Sequence, residues 1–296
     1  ESSQSGGGLC ITSQNTNPTF INLSVIGNES DGQGGGIRIS SQATPTFDTL
    51  IVRDNEANSS GGGVDITNNG TNPIIKNATI SDNKSGYDGG GIRIYDGAKP
   101  TLTNIILTSN EGNQGGGISI YGNSTDPILT NITIENNSAY RGGGIFGQYK
   151  PDPTFTDISV VNNIASYEGG GIYIQNESDP VFTNIIIAKN SAEYGGGVYT
   201  ALKSNPEFNH LTAFGNKAIN SMDDYGKGGF LYSNPDDDED GCQHTIKNSI
   251  LWNNTPEEIY IAEYEGQEDN DWTNTILNIS YSNVQFGQEK FTINKT

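Results

Sequence analysis

RGGGIFGQYKPDPTFTDISVVNN, residues 141 to 163, sets three glycines, a proline, a buried-type aromatic and a pair of asparagines in a fixed order. The same order recurs along the chain. Pro18, Pro45, Pro73, Pro100, Pro127, Pro153, Pro180 and Pro206 stand 26 to 28 residues apart. Two residues after each comes a large apolar residue (Phe20, Phe47, Ile75, Leu102, Leu129, Phe155, Phe182, Phe208), and Ile246 continues the series where His244 takes the proline's place. Eight residues after each of these stands an asparagine, from Asn28 and Asn55 through Asn163 to Asn216 and Asn254. A fixed period near 27 residues is the mark of a solenoid.

Between the landmarks the apolar residues alternate, as Ile132 and Ile134 do about Thr133. Period two means short strands with one buried face, and helical spacing is absent. A unit of about three short strands cannot bury its apolar face alone. Coils stacked about 4.8 Å apart close a common interior and pair each strand with its counterpart in the next coil. The expected fold is therefore all-β, a right-handed parallel β-helix of about nine to ten coils, its hand following the crossover preference of parallel strands. Residues 1–296 are expected to form one such domain, with insertion loops around 217–229 and 233–244 and an irregular C-terminal part at 255–296.

The landmarks then have structural roles. The recurrent asparagine is expected at a corner, tolerating left-handed backbone and bonding amide to amide up the stack. A second such column runs Asn22, Thr49, Asn77, Asn104, Asn131, Asp157, Asn184, His210 and Asn248. The glycines supply positive φ and close backbone approach, and the proline starts a strand where a missing N–H is tolerated.

Composition narrows the function. Fifteen basic residues against 35 acidic ones give a formal net charge of −20, which argues against nucleic acid and anionic membranes as partners. No apolar run approaches the ~20 residues of a membrane span, so no membrane insertion is expected. Cys10 and Cys242 are too few for a disulfide framework and lie about eight coils apart. The first glycine corner, at Gly6, has almost nothing before it to cap the stack, so the chain is expected to be part of a longer one.

The GGGI, P-x-F-x-N and N-N elements, with the runs KNSILWNNTPEEI and ISYSNVQ near the C-terminal end, resemble the right-handed β-helix repeat proteins of bacterial surfaces, of the choice-of-anchor type. They are more distantly similar to the repeats of chlamydial polymorphic membrane proteins, which carry GGA-I and F-x-x-N. The resemblance covers nearly the whole chain. It implies the fold and a place outside the cell or on its surface, and it implies no single activity.

Candidate functional residues lie where the repeat does not dictate the residue. The outward column beside the glycines reads Arg38, Asp65, Arg93, Ser119, Phe146, Tyr173, Tyr199 and Leu231, with Tyr95, Tyr121 and Tyr149 further along and Tyr87, Tyr140, Tyr167 and Tyr194 near the glycines. An exposed aromatic strip with carboxylates and amides suits the stacking of sugar rings. Tyr95, Tyr121, Tyr140, Phe146, Tyr149, Tyr167, Tyr173 and Tyr199 are the expected ligand-binding set, and an extracellular polysaccharide or a host or surface glycan is the expected partner. The expected function is a non-enzymatic extracellular module, an adhesin, stalk or carbohydrate-binding rod. The alternative is a polysaccharide lyase or glycosidase, for which Arg38, Asp65 and Arg93 form the best catalytic-looking cluster; a surface ion-pair column is its plainer interpretation. Asp223, Asp224, Asp236, Asp237, Asp238 and Asp240 offer hard oxygen ligands for Ca²⁺, against the plainer alternative of a solvated acidic loop, since their spacing fits no EF-hand or nonapeptide loop. No other cofactor is expected.

Overall fold

A computed structural model describes residues 5–219, 226–234, 241–262, 275–285 and 291–293, the last three through their backbone alone. Every coil follows one plan. After the proline runs an eight-residue strand such as Thr101–Thr108, Ile128–Glu135 or Thr154–Val161. A short strand such as Ser191–Ala192 follows the asparagine corner, and a four-residue strand such as Ile92–Tyr95, Ile118–Tyr121 or Ile145–Gln148 follows the glycines. Each pairs in parallel with the same segment of the next coil, Leu102 with Leu129 and Ile118 with Ile145. Among the described residues this builds one sheet of eleven strands and one of twelve. The third sheet is split into a three-stranded and a four-stranded part. The break falls at the coil of Glu111, which is joined to its neighbours by single bridges to Lys84 and Ser138.

The eight-residue strands are bent, and the bend explains their burial pattern. Asn104 sits at the bend with φ 56°, and the pairing skips it, passing from Leu102 and Thr103 to Ile105. The left-handed residue shifts the alternation by one, so Leu102, Ile105 and Leu107 all point inward and are fully buried. The residues of the second column, from Asn22 to Asn248, all share this positive φ. Their exposed amides bond along the outside, Asn131 Nδ2 to Asn104 Oδ1 at 2.8 Å and Asn104 Nδ2 to Asn77 Oδ1 at 2.9 Å.

The interior is one continuous apolar core from Ile11 to Ile259. Identical register stacks like on like: Phe155, Phe182 and Phe208 lie 4.7 and 5.0 Å apart, near parallel. Fully burying such a side chain contributes about 1.5–3 kcal/mol, and each stacked pair adds about 0.5–1.5 kcal/mol.

The first asparagine column is a buried ladder. Asn110 Nδ2 donates to Asn137 Oδ1 at 3.0 Å and to the Ile80 carbonyl at 2.9 Å, while its backbone N–H donates to the same Asn137 oxygen at 2.9 Å. This pattern repeats from Asn55 to Asn216. At the end of the column Asn254 Nδ2 donates to the Glu258 carboxylate. The expected left-handed geometry falls one residue earlier, at Asp54, Asp82, Ser109, Asn136 and Asn162, which leaves the ladder amide free to point into the stack.

The glycine corner shows why three glycines are needed. Gly142 has φ 63°, a Cβ on Gly143 would stand 2.4 Å from the Gly170 carbonyl oxygen, and one on Gly144 would stand 2.7 Å from that of Gly171. The first needs the left-handed region, and the other two have backbone where a side chain would go.

One sequence expectation changes. Leu231 is not outward: it pairs with Val198 and is fully buried in the core, and Tyr232 opposite Tyr199 continues the outward column. His244 is also enclosed, its Nε2 lying 2.9 Å from Ser233 Oγ and 3.4 Å from Thr200 Oγ1. Burial with no compensating charge pushes its pKa down to about 4. Cys10 is exposed, Cys242 is buried, and neither is in a disulfide. Ile259–Ile261 and Ile276–Ser280 extend the two large sheets into the C-terminal part.

Candidate functional site

The outer face of the eleven-stranded sheet carries the chemistry. Its outward column runs Arg38, Asp65, Arg93, Ser119, Phe146, Tyr173, Tyr199, Tyr232 and Tyr260, each paired with the next across the sheet. The column faces outward in register, yet most of it is covered. Asp65, Ser119 and Phe146 are at most 1% exposed, and Tyr173 and Tyr199 are buried too.

The cover comes from the corners on either side. Phe146, Tyr173, Tyr199 and Ala201 form a second apolar cluster outside the sheet, with Tyr121, Tyr194, Leu202 and Tyr232 packed against it. Phe146, Tyr173, Tyr199, Tyr232 and Tyr260 stack 4.9 to 5.3 Å apart with interplanar angles of 9° or less. On the glycine side Tyr140 and Tyr167 stack at 5.4 Å, and on the other side Tyr95, Tyr121 and Tyr149 run ring to ring at 5.4 and 4.9 Å. Arg141 Nε donates to Glu168 Oε2 at 2.6 Å, with its guanidinium carbon within 6 Å of the Tyr140, Tyr167 and Tyr173 rings. Burial raises the Glu168 pKa, against the pull of Arg141 and of the Tyr199 hydroxyl. Burial likewise raises Tyr173, whose hydroxyl donates to Gln175. The predicted binding set therefore splits: Phe146, Tyr173 and Tyr199 are a buried floor, whereas Tyr140 and Tyr149 expose 46% and 44% of their surface. Tyr95, Tyr121 and Tyr167 are half-buried between them.

In the Arg38, Asp65, Arg93 column Asp65 and Arg93 are buried and Arg38 is part-exposed. Asp65 is fully enclosed, its Oδ1 accepting from Arg93 Nη1 at 3.1 Å and its Oδ2 lying 3.7 Å from Arg38 Nε. Burial raises the Asp65 pKa while the two arginines pull it down. Arg93 stands 4.3 Å over the Tyr95 ring, with Nε 3.8 Å from Asp88 Oδ2.

Where the ionic part of the column meets the aromatic part, the surface opens into a cleft of about 480 Å³. Asp88 and Arg93 line it together with the rings of Tyr87, Tyr95, Tyr121 and Tyr149. Side-chain amides from Asn113, Gln114 and Gln148 complete the wall. A cavity of this size suits a small ligand or one unit of a polymer. Asp88 stands, as the sequence placed it, beside the tyrosine that precedes the glycines, whereas Asn113, Gln114 and Gln148 were not singled out by sequence reasoning, although a signal existed. The coil of Asn113 and Gln114 lacks the tyrosine that precedes the glycines in the coils of Tyr87 and Tyr140, and its outward residue is the small Ser119.

The acidic residues proposed for Ca²⁺, Asp223, Asp224, Asp236, Asp237, Asp238 and Asp240, lie outside the described residues. Among the described residues no three His, Cys, Asp or Glu side chains group as metal ligands would. Among the described residues no helix is long and apolar enough to cross a membrane.

A parallel β-solenoid with an aromatic outer groove is thus the class that fold and site define. The chain matches the family described as right handed beta helix region over residues 2–104 and 75–239, and it belongs to that family. No curated protein and no solved structure matches it.

Proposed function

We propose that this β-helix is a carbohydrate-binding module of an extracellular or surface protein, holding glycan along the groove without cleaving it. The observation that carries this is the cleft, in which half-buried and exposed tyrosine rings surround one carboxylate, one guanidinium and three amides. Ring faces take the apolar faces of sugars, and the polar groups take hydroxyls. The fully enclosed Asp65, held between two arginines, has no path to a substrate proton, which weakens the lyase alternative.

A glycan array probed with and without Ca²⁺, followed by product analysis of each hit, tests the proposal. Binding with the glycan recovered intact is the expected result. Unsaturated or shortened oligosaccharide products would replace this function with the lyase or glycosidase alternative, and a requirement for Ca²⁺ would bring the acidic loops into the site.

A further inference from the structure

The cleft has a specific origin in the repeat. Ser119 occupies the outward column between Arg93 and Phe146, so beneath the side chains that line the cleft lies a fully buried hydroxymethyl where its neighbours have long or aromatic side chains. In the same coil Asn113 and Gln114 stand where other coils carry a tyrosine beside the glycines, and the third sheet is interrupted there. Three independent departures from the repeat coincide in one coil and leave a notch in an otherwise filled groove.

The notch is chemically furnished. Arg93 is 7% exposed and lines the cleft, yet among the described residues its only hydrogen bond is the one from Nη1 to Asp65. Its Nε, shielded from solvent, has no hydrogen-bond partner, and Asp88 Oδ2 stands 3.8 Å from it, beyond hydrogen-bonding distance. A guanidinium and a part-exposed carboxylate that line one cleft match a pair of neighbouring hydroxyls, one accepting from arginine and one donating to aspartate. Arg38 and Arg93 are balanced by Asp65 and Asp88, so the cluster carries no excess positive charge for an anionic ligand, and the protein as a whole is strongly acidic.

Resting on the glycan-binding function proposed above, we infer that the notch over Ser119 is the primary subsite of the groove, and that it takes one uncharged pyranose ring. The ring stacks on Tyr121 and Tyr149 and turns a vicinal diol toward Asp88 and Arg93. The rest of the groove, with its buried floor, offers only lateral contacts to neighbouring sugars.

Calorimetric titration with neutral hexasaccharides (cello-, manno- and galacto-hexaose) and with polygalacturonate tests this. Ser119→Phe fills the notch by continuing the aromatic column, and Asp88→Asn keeps the shape while removing the charge; circular dichroism checks that both fold. At least one neutral hexasaccharide is expected to bind, polygalacturonate to bind at least tenfold more weakly, and each variant to lose tenfold or more. Tyr140→Ala, farther along the groove, is expected to weaken binding severalfold less than either notch variant. Unaltered binding by Ser119→Phe or by Asp88→Asn, or tighter binding of the uronate, overturns the subsite. Loss in Tyr140→Ala with retention in both notch variants overturns the subsite but leaves the groove function standing. Failure of every glycan, on the array as well, overturns both.

Discussion

Replacing Asn137 by alanine tests the buried ladder at its centre. Asn137 Oδ1 accepts from both the backbone N–H and the side-chain amide of Asn110, at 2.9 and 3.0 Å, and its Nδ2 donates to the Leu107 carbonyl at 3.0 Å and to Asn163 Oδ1 at 3.0 Å. Asn163 keeps the Asn137 backbone N–H, so alanine strips a partner from three buried groups: two donors of Asn110 and the oxygen of Leu107. At about 1–2 kcal/mol for each buried group left unpaired, the loss is about 3–6 kcal/mol. The control is Asn131→Ala in the exposed column, where water replaces the lost amide and the cost is that of a left-handed alanine, about 1–2 kcal/mol. Urea denaturation followed by circular dichroism gives the global loss. Because coils of a solenoid can open separately, hydrogen exchange read by mass spectrometry should place the weakening in the coils of Asn110, Asn137 and Asn163. Equal destabilisation by the two substitutions would refute the claim that burial gives the ladder its weight.

Two further outcomes follow from the core. His244 is neutral in the fold with its pKa lowered from 6.5 to about 4, so the unfolded chain takes up the proton first as pH falls. Its stabilisation is complete above about pH 6.5 and is lost toward pH 4; at about 1.4 kcal/mol per pH unit this amounts to about 3 kcal/mol. The raised carboxyls of Asp65, Asp88 and Glu168 act in the opposite direction as pH falls. The difference in urea midpoint between the native chain and His244→Leu, measured at pH 7 and again at pH 4.5, isolates the histidine and should narrow at the lower pH. Glycines separate by position: Gly143→Ala meets the Gly170 carbonyl and should cost several kcal/mol, whereas Gly147→Ala has 3.8 Å of clearance to Tyr173 O and borders a small void of about 10 Å³. Thermal melting should show Gly147→Ala stabilised by about 0.5–1 kcal/mol, and a destabilised Gly147→Ala would refute the space assigned to it.

The coil plan was legible because stacking forces like residues onto like positions. Pro153, Phe155 and Asn163 each repeat a role that the next coil must also fill, and so the period betrays the fold. Burial of the outward column was not legible, since Phe146 and Tyr173 are covered by side chains from corners whose direction no periodicity encodes. Leu231 misled because Phe230 takes the place of a third glycine; GGFLY against GGGVY aligns Tyr232 with Tyr199, which becomes evident once the register is seen. The notch lay in the departures at Asn113, Gln114 and Ser119. Its significance depended on Asp88 and Arg93 being brought to the same place.

The corner hydrogen bonds also distinguish the two ends of the rod. From Asn55 to Asn216 each side-chain amide gives one N–H to the asparagine of the next coil and the other to a carbonyl of the coil before, while at the glycine corner four successive peptides, Gly115, Gly116, Gly117 and Ile118, donate to Arg141, Gly142, Gly143 and Gly144 of the next coil. At the glycine corner these peptide dipoles share one direction, whereas peptides elsewhere, such as those of Thr101 and Glu111, donate the opposite way, to Pro73 and Asn83. Glu258, itself buried, closes the asparagine column by accepting from Asn254 Nδ2. The coil that follows, with its strands Ile276–Ser280 and Asn283–Val284, thus stacks beyond an asparagine column that has already closed on Glu258.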